Sequence, residues 1–515
     1  MDIGQMVEQS AARFGDSLAV ACVAEDATRT HTFSSLDAAS NRTANGFLDA
    51  GIGFGDPVAV LSHNSIAFVE AFFATQKIGA RVTPINVRFD AADVKDVLDD
   101  TEPRCLLADP ALLAGLDGIE AFLDDREIEV ITTTDHPAYR DRRSYDDLTA
   151  ASADPPGVGV GPEAVDGYFY TSGSSGRPKG VVHTHADRVL TNLNVIAEFG
   201  LRHNDVNCCP LPLFHAGPLY TGFVPFVQFG VPTVLLERFD PVRTLDVVAE
   251  WDVTILGGVP AQYERLADTA TNGDHDLDSL RFWWVSGAPL AETLRERCRE
   301  ELCGTHSIVY GATEVGPPAS ILPPEASAER PDSCGTGQMG QRVRIVNPDG
   351  ANDPTAAVEP GKTGELVVRG ETVMERYLHR PDETDAVLVD GWFFTGDLAR
   401  RDAAGYLSIE GRTDDMITSG GENVYPAEIE TVLRDHPAIE DIAVLGVDHD
   451  EWGRTPKAFV VASDGAAMDE AAIARYCLES RLADYKRPRE VAFVQEIPRN
   501  PSGGSVLRGE LRDGE

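Results

Sequence analysis

Between residues 57 and 85 the chain reads strand, helix, strand. "PVAVLS" is a short apolar run, Asn64 is placed to cap the helix "SIAFVEAFFATQKIGA", and "RVTPIN" begins the return. Two strands joined through a helix lie parallel, because a tight turn can join only antiparallel ones. Further strand-like runs follow at "RCLLA", "EVITT", "PTVLLE", "VTIL", "RFWWVS" and "SIVYG". They alternate with helical segments such as "THADRVLTNLNVIAEFG", "PVRTLDVVAEWD" and "PLAETLRERCREEL". The alternation predicts an α/β chain built on a mainly parallel, helix-covered sheet. In the first of these helices Val189, Leu190, Leu193 and Ile196 share a face and are expected in the core.

From about residue 335 the pattern changes. "QRVRIVNPDG", "GELVVRG" and "GYLSIEGR" are short strands between Gly/Asp turns and predict a β-rich subdomain over about 335–413. Beyond Arg412 comes a compact α+β pattern: "PAEIETVLRDHP", "IAVLGV", "KAFVVAS", "DEAAIARYCLESRLA" and "EVAFV". The expected division is therefore a large domain over 1–413 and a small one over 414–515, with the boundary in "GRTDD". At 515 residues the chain is too long for one core.

Acidic residues number 84 against 44 basic ones, for a net charge of −40. Such a surface repels nucleic acid and anionic membrane. The acids lie along the whole chain, which favours adaptation to high salt over a single cationic partner. No apolar stretch is long enough to span a membrane, and the N-terminus lacks a signal-peptide pattern. The eight cysteines form no CxxC pair, and adjacent Cys208 and Cys209 read as small buried hydrophobes. A reduced, cytoplasmic setting is expected.

Lysine occurs only at 77, 95, 179, 362, 457 and 486. One of these closes "TSGSSGRPKG", Thr171 to Gly180, a loop that reads as following a strand and preceding a helix. Successive backbone N–H groups there could cradle an anion, with Lys179 adding a point charge. A flexible linker is the alternative; the scarcity of lysine favours the cradle. It is not the nucleotide P-loop, which needs Ser or Thr directly after the lysine, where Gly180 stands. Two further strand ends, Ser286–Gly287 in "WWVSGAPL" and Tyr310–Gly311 in "IVYGATE", open into loops, and ligands gather at the carboxyl ends of parallel strands. Tyr310 could cover a flat ring, and Glu314 is a hard oxygen ligand suited to Mg²⁺ on a phosphate. "SGAP" alone reads equally as a tight turn. "WFFTGDLARRD" offers Asp397 and "GRTDD" offers Arg412; a carboxylate accepting two hydroxyls suits a ribose, although Asp397 alone reads more readily as a turn residue.

Taken in order, "TSGSSGRPKG", "YGATE", "FTGD", "GRTDD" and "GGENVYPAEIE" resemble the adenylate-forming superfamily of acyl-CoA synthetases, peptide-synthetase adenylation domains and luciferases. The resemblance spans nearly the whole chain and is strongest to the fatty-acyl and aryl CoA ligases. It implies that Thr171, Ser172, Gly173, Ser174 and Lys179 hold the ATP phosphates. Gly287, Ala288 and Pro289 would line the adenine, with Tyr310 and Gly311 against its face. Thr313 would touch the α-phosphate, Glu314 would hold Mg²⁺, and Asp397 would bind the ribose with Arg412. Asp414 would be the hinge of a small mobile domain whose loop at Gly420 and Gly421 helps form the thiol tunnel. His215 in "PLFHAG" would flank the acyl pocket, although a lone histidine there also reads as a packed core residue. The implied substrates are ATP, coenzyme A and a fatty or aryl acid, with no nucleic-acid partner; a homodimer is compatible with this.

One signature departs. The family usually ends in P-x-x-P-S/T-G-K, with a lysine that bridges the carboxylate and the α-phosphate during adenylation. Here "PRNPSGGSVLRGELR" puts Gly504 and Ser505 in its place, and no lysine follows Lys486. Arg499 and Arg508 flank the gap, but guanidinium is a planar fork and not a mobile point charge. Loss of one such cation is expected to slow adenylation by on the order of 10²–10³-fold. The sequence therefore leaves open a slower ligase, an enzyme limited to thioester formation, and a binding protein without turnover.

Overall fold

The computed structural model describes residues 1–515 except 135, 173–176, 274, 349–351, 420–421, 450–451, 464–467, 481, 484–485, 500–505, 509–510 and 512–515. Two large sheets carry the front of the chain. In the nine-stranded one, Leu18–Val23, Thr233–Leu236, Asn207–Cys209, Ile255–Gly258, Phe282–Val285 and His306–Tyr310 lie side by side and parallel. In the eight-stranded one, the expected unit at 57–85 is present. Pro57–Leu61 pairs in parallel with Arg81–Pro84, and Cys105–Ala108, Glu129–Thr132, Arg143–Ser144 and Val165–Ser172 extend the parallel set. The antiparallel strands Pro178–Thr184 and Arg376–Tyr377 close one edge.

One hydrophobic core joins both sheets through the helices Ile3–Phe14, Phe33–Asp49, Ile66–Ile78, His185–Glu198 and Ala216–Gly222. The helix Ile66–Ile78 is buried at every position from Phe68 to Ile78, with Glu70 paired to His31 and Lys77 to Asp37.

Two expectations about helices change. Ser65, not Asn64, caps the helix Ile66–Ile78, its side chain accepting from Phe68 N. Asn64 instead ties the two sheets together. Its Nδ2 donates to Leu211 O (2.9 Å) and Leu236 O (3.0 Å), and its Oδ1 accepts from Leu213 N (2.8 Å). Asn64→Ala will leave three buried backbone groups unpaired and cost about 2–4 kcal/mol, read as a lowered midpoint in chemical denaturation. The segment it anchors leads directly to His215. In the helix His185–Glu198 the buried face carries His185, Arg188, Thr191, Asn192 and Val195, whereas Leu193 is 45% exposed. The apolar stripe read from the sequence is therefore rotated, because Arg188 finds a buried partner in Asp166.

Behind these sheets Gln341–Val346, Thr363–Gly370, Trp392–Arg401, Leu388–Val389 and Leu407–Arg412 form the expected antiparallel β-rich unit. A last sheet contains Glu422–Val424, Ile417–Ser419, Gly453–Ala462, Ile439–His449 and Glu490–Phe493. It has its own core with the helices Pro426–Arg434 and Glu470–Glu479. Cys208 and Cys209 are fully buried, and burial pushes the Cys209 thiol up to about 12. Among the described residues no helix is long and apolar enough to cross a membrane.

Candidate active site

The segment "TSGSSGRPKG" links two antiparallel strands instead of a strand and a helix. Val165–Ser172 pairs with Pro178–Thr184, with Thr171 opposite Lys179, and the following helix begins only at His185. An anion cradle at a helix N-terminus is thereby excluded for this loop. The β-branched pair Val181 and Val182 extends the strand, and Thr184 with Asp187 forms the capping box that starts the helix. Gly173 and Ser174 lie outside the described residues.

Two sets of contacts, joined by the segment 310–314, begin at Lys179. Its ammonium pairs with Glu383 and sits 5.4 Å from the centre of the Tyr377 ring. The Tyr377 hydroxyl donates to Glu314 Oε1 at 2.8 Å, and Met374 N donates to Glu314 O at 2.7 Å. Four residues before Glu314, the Tyr310 hydroxyl donates to Asp397 Oδ2 at 2.6 Å. Asp397 Oδ1 accepts from Arg412 Nη1 at 2.9 Å, the two residues standing opposite each other on paired strands. Burial raises the Asp397 carboxyl above its usual range, while Arg412 and Tyr310 pull it back. Gly396 makes the approach possible. Its φ is +69°, and a Cβ there would stand 2.8 Å from Arg412 Nη2.

Two of the remaining loops leave from one edge of the nine-stranded sheet. Phe282–Val285 and His306–Tyr310 are adjacent parallel strands, so the loops holding Gly287, Ala288, Pro289 and those holding Gly311, Thr313 leave from neighbouring carboxyl ends. The first three are exposed, and Gly287 has φ +84°. Thr313 opens a short 3-10 turn whose carbonyl meets His183 Nε2 at 2.8 Å. His215 precedes the helix Ala216–Gly222, is half-buried and lies 4.5 Å from the Phe214 ring, so it is not a sealed core histidine. Asp414 is exposed in the turn after Arg412.

With these contacts in place, the comparison with known proteins decides the family. The AMP-binding enzyme profile matches residues 7–378, and the profile of the AMP-binding enzyme C-terminal domain matches 428–503. The chain belongs to the AMP-binding enzyme family. The adenylate-forming acyl- and aryl-CoA synthetases to which the motifs pointed are its relatives. It is 36% identical over 482 residues to a feruloyl-CoA synthase from Amycolatopsis sp., covering 93% of each chain. It is 33% identical over 486 residues to the long-chain-fatty-acid–CoA ligase FadD13 of Mycobacterium tuberculosis, covering 94% of this chain and 92% of the other. Its fold superposes on ATP-bound MatB from Rhodopseudomonas palustris with a TM-score of 0.89 at 28% identity, covering 100% and 99% of the two chains.

For this AMP-binding enzyme, sequence reading missed Tyr377, Glu383 and His183, which link the motif residues to one another. No motif marked the first two; the "THAD" capping box could have placed His183 on a strand. At the far end of the chain, Gly420, Gly421, Gly504 and Ser505 lie outside the described residues. Arg508 is held by Asp415 (2.9 Å) and Glu430 (3.0 Å), Arg499 by Asp441 (2.6 Å), and Lys486 by Glu428 (2.7 Å). Among the described residues no cluster of three or more His, Cys, Asp or Glu could hold a metal. That fits a Mg²⁺ carried in on phosphate and met by one carboxylate, and Glu314 Oε2 has no protein partner among the described residues.

Proposed function

We propose that this enzyme activates an aryl or fatty acid with ATP and passes the acyl group to coenzyme A. The general reaction is ATP-dependent, AMP-forming acid–thiol ligation. A carboxylate attacks the α-phosphate, pyrophosphate departs, and a thiol then attacks the carbonyl of the acyl-adenylate. The observation that supports the residue roles is a pair of contact sets, Lys179 with Tyr377 and Glu314, and Tyr310 with Asp397 and Arg412, joined by the segment 310–314.

In this reading Thr171, Ser172 and Lys179 hold the β- and γ-phosphates, and Asp397 with Arg412 fixes the ribose. Tyr310, Gly311 and the loop at Gly287, Ala288 and Pro289 enclose the adenine. Thr313 meets the α-phosphate beside His215 at the acyl cleft. Bound at Glu314, Mg²⁺ supplies charge neutralisation on the phosphates. Charge builds on phosphate oxygens, so these residues work by positioning and by fixed positive potential. The small domain over 414–515 turns about Asp414 between the two steps. The aryl class is favoured by the feruloyl-CoA synthase relative, the fatty class by FadD13. The acidic surface and unpaired cysteines support a cytoplasmic setting.

The test is acid-dependent release of pyrophosphate and AMP across a panel of fatty and aryl acids with Mg-ATP in molar KCl, followed by mass spectrometry of the CoA thioester. ADP as the product, or no pyrophosphate with any acid, sinks the full reaction. A second reading, thioester formation from supplied acyl-AMP with impaired adenylation, is favoured by the Gly504–Ser505 substitution and by the ion pairs that hold Arg499 and Arg508.

A further inference from the structure

The 3-10 turn Thr313–Val315 is tied down by its backbone and open at its side chains. Each of its three carbonyls meets a donor from elsewhere in the chain. His183 Nε2 donates to Thr313 O at 2.8 Å, Met374 N to Glu314 O at 2.7 Å, and Thr372 Oγ1 to Val315 O at 3.0 Å. Gly316 ends the turn with φ +62°, and a Cβ there would stand 2.6 Å from Thr372 O. By contrast, Thr313 Oγ1 and Glu314 Oε2 have no protein partner among the described residues.

His183 reaches this turn from the strand Pro178–Thr184, and its side chain is fully buried. On the other side of the ring, Asp187 Oδ2 stands 3.4 Å from Nδ1. Asp187 in turn accepts from Thr184 N at 3.0 Å and Thr184 Oγ1 at 2.7 Å, in the capping box that starts the helix His185–Glu198. Side chains alternate along a strand, so Lys179, Val181 and His183 share one face. Lys179 lies over Tyr377, whose hydroxyl donates to Glu314. Val181 packs in the same apolar cluster as Val315 and Ala312. His183 holds Thr313 O, the only hydrogen bond among the described residues between this strand and 312–316. Apolar packing has no direction and would let the turn shift along the strand; a hydrogen bond to one carbonyl fixes its place.

We infer that His183 is a positioning residue for the adenylation step. It sets where Thr313 Oγ1 and Glu314 Oε2 stand relative to Lys179, four residues away on the same strand face. This rests on the reading that Lys179 and Glu314 act on the triphosphate. Groups that work by position need their own backbone held, and a misplacement of about 1 Å can cost on the order of 10²-fold in rate. The thiol step has no triphosphate left to position, so it depends on His183 far less.

The test uses Mg-ATP and the acid of the panel that is turned over fastest. His183→Leu should lower kcat for pyrophosphate release by on the order of 10²-fold, with the KM for the acid and thioester formation from supplied acyl-AMP within about threefold of wild type. A histidine that only supports the fold would lower both half-reactions together. His183→Gln and His183→Asn separate reach from polarity: the longer amide can place its nitrogen near the Nε2 position, and the shorter one stops near Nδ1. Gln should exceed Asn by at least about tenfold in pyrophosphate release. Should His183→Leu fail to fold, this pair decides alone. A His183→Leu enzyme within about threefold of wild type, equal losses in both half-reactions, or a Gln-to-Asn ratio below about threefold overturns the inference. Lys179→Met is the control on the underlying reading: release within about threefold of wild type takes the triphosphate away from this strand. Hydrogen exchange of peptides covering 311–319 then reads the brace itself, expected about tenfold faster in His183→Leu than in His183→Gln; equal rates overturn it.

Discussion

Lys179→Met will lower kcat/KM for ATP by on the order of 10²–10³-fold, and Glu383→Gln will move the KM for ATP in the opposite direction. The Lys179 ammonium is mostly buried, paired with Glu383 and set over the Tyr377 ring. On the role proposed for Lys179, an incoming triphosphate brings more charge than the single Glu383 carboxylate and would take its place. Removing one well-placed cation at a reacting phosphate costs about 2.7–4 kcal/mol by analogy with the loss of one oxyanion donor. Removing Glu383 leaves the cation but ends the competition for it. Glu383 is 37% exposed, so its pair with Lys179 is weakened by solvent, and a KM lowered roughly twofold to fivefold is expected. Steady-state kinetics on folded variants, checked by circular dichroism, reads both. A Lys179→Met enzyme within about threefold of wild type would remove the hairpin from the phosphate site.

The parts of this site legible in the sequence share one property: each sits on a regular element or at its end. Tyr310 and Gly287 follow apolar runs that had to be parallel strands, so their loops had to emerge at one edge of the sheet. Asp397, inside the strand Trp392–Arg401, faces Arg412, at the end of Leu407–Arg412, because the two strands pair. What stayed hidden depends on partners far along the chain. Tyr377, on the short edge strand Arg376–Tyr377, and Glu383, in the helix Pro381–Val387 that follows, reach Glu314 and Lys179 only through tertiary packing.

Arg188 reads as a surface residue on an amphipathic helix, and only Asp166, 22 positions earlier, turns it inward. Asn64 and Ser65 are both good caps; which of them caps was decided by the backbone groups of Leu211, Leu213 and Leu236, which only Asn64 satisfies. The strand Pro178–Thr184 was legible in principle. Thr184 and Asp187 form a capping box that fixes the helix start at His185, leaving "PKGVVHT" to be a strand.

Replacing Gly504–Ser505 with a single lysine will raise acid-dependent pyrophosphate release by on the order of 10²–10³-fold, and will change thioester formation from supplied acyl-AMP far less. The asymmetry follows from where charge develops. In the first step an anionic carboxylate must approach an anionic α-phosphate, and a mobile ammonium between them lowers the repulsion. In the second a thiol attacks a neutral carbonyl. The two native cations near the gap are committed elsewhere. Arg508 is pinned by Asp415 and Glu430 and also donates to Val444 O at 3.2 Å, and Arg499 makes a two-nitrogen pair with Asp441. Releasing either guanidinium would strand partly buried carboxylates, which a flexible lysine at 504 would not do. Single-turnover assays separate the steps: pyrophosphate against time for the first, thioester from synthetic acyl-AMP for the second. A gain below about threefold in the first would mean that another group already neutralises the carboxylate, and would leave this chain an ordinary ligase despite its missing lysine.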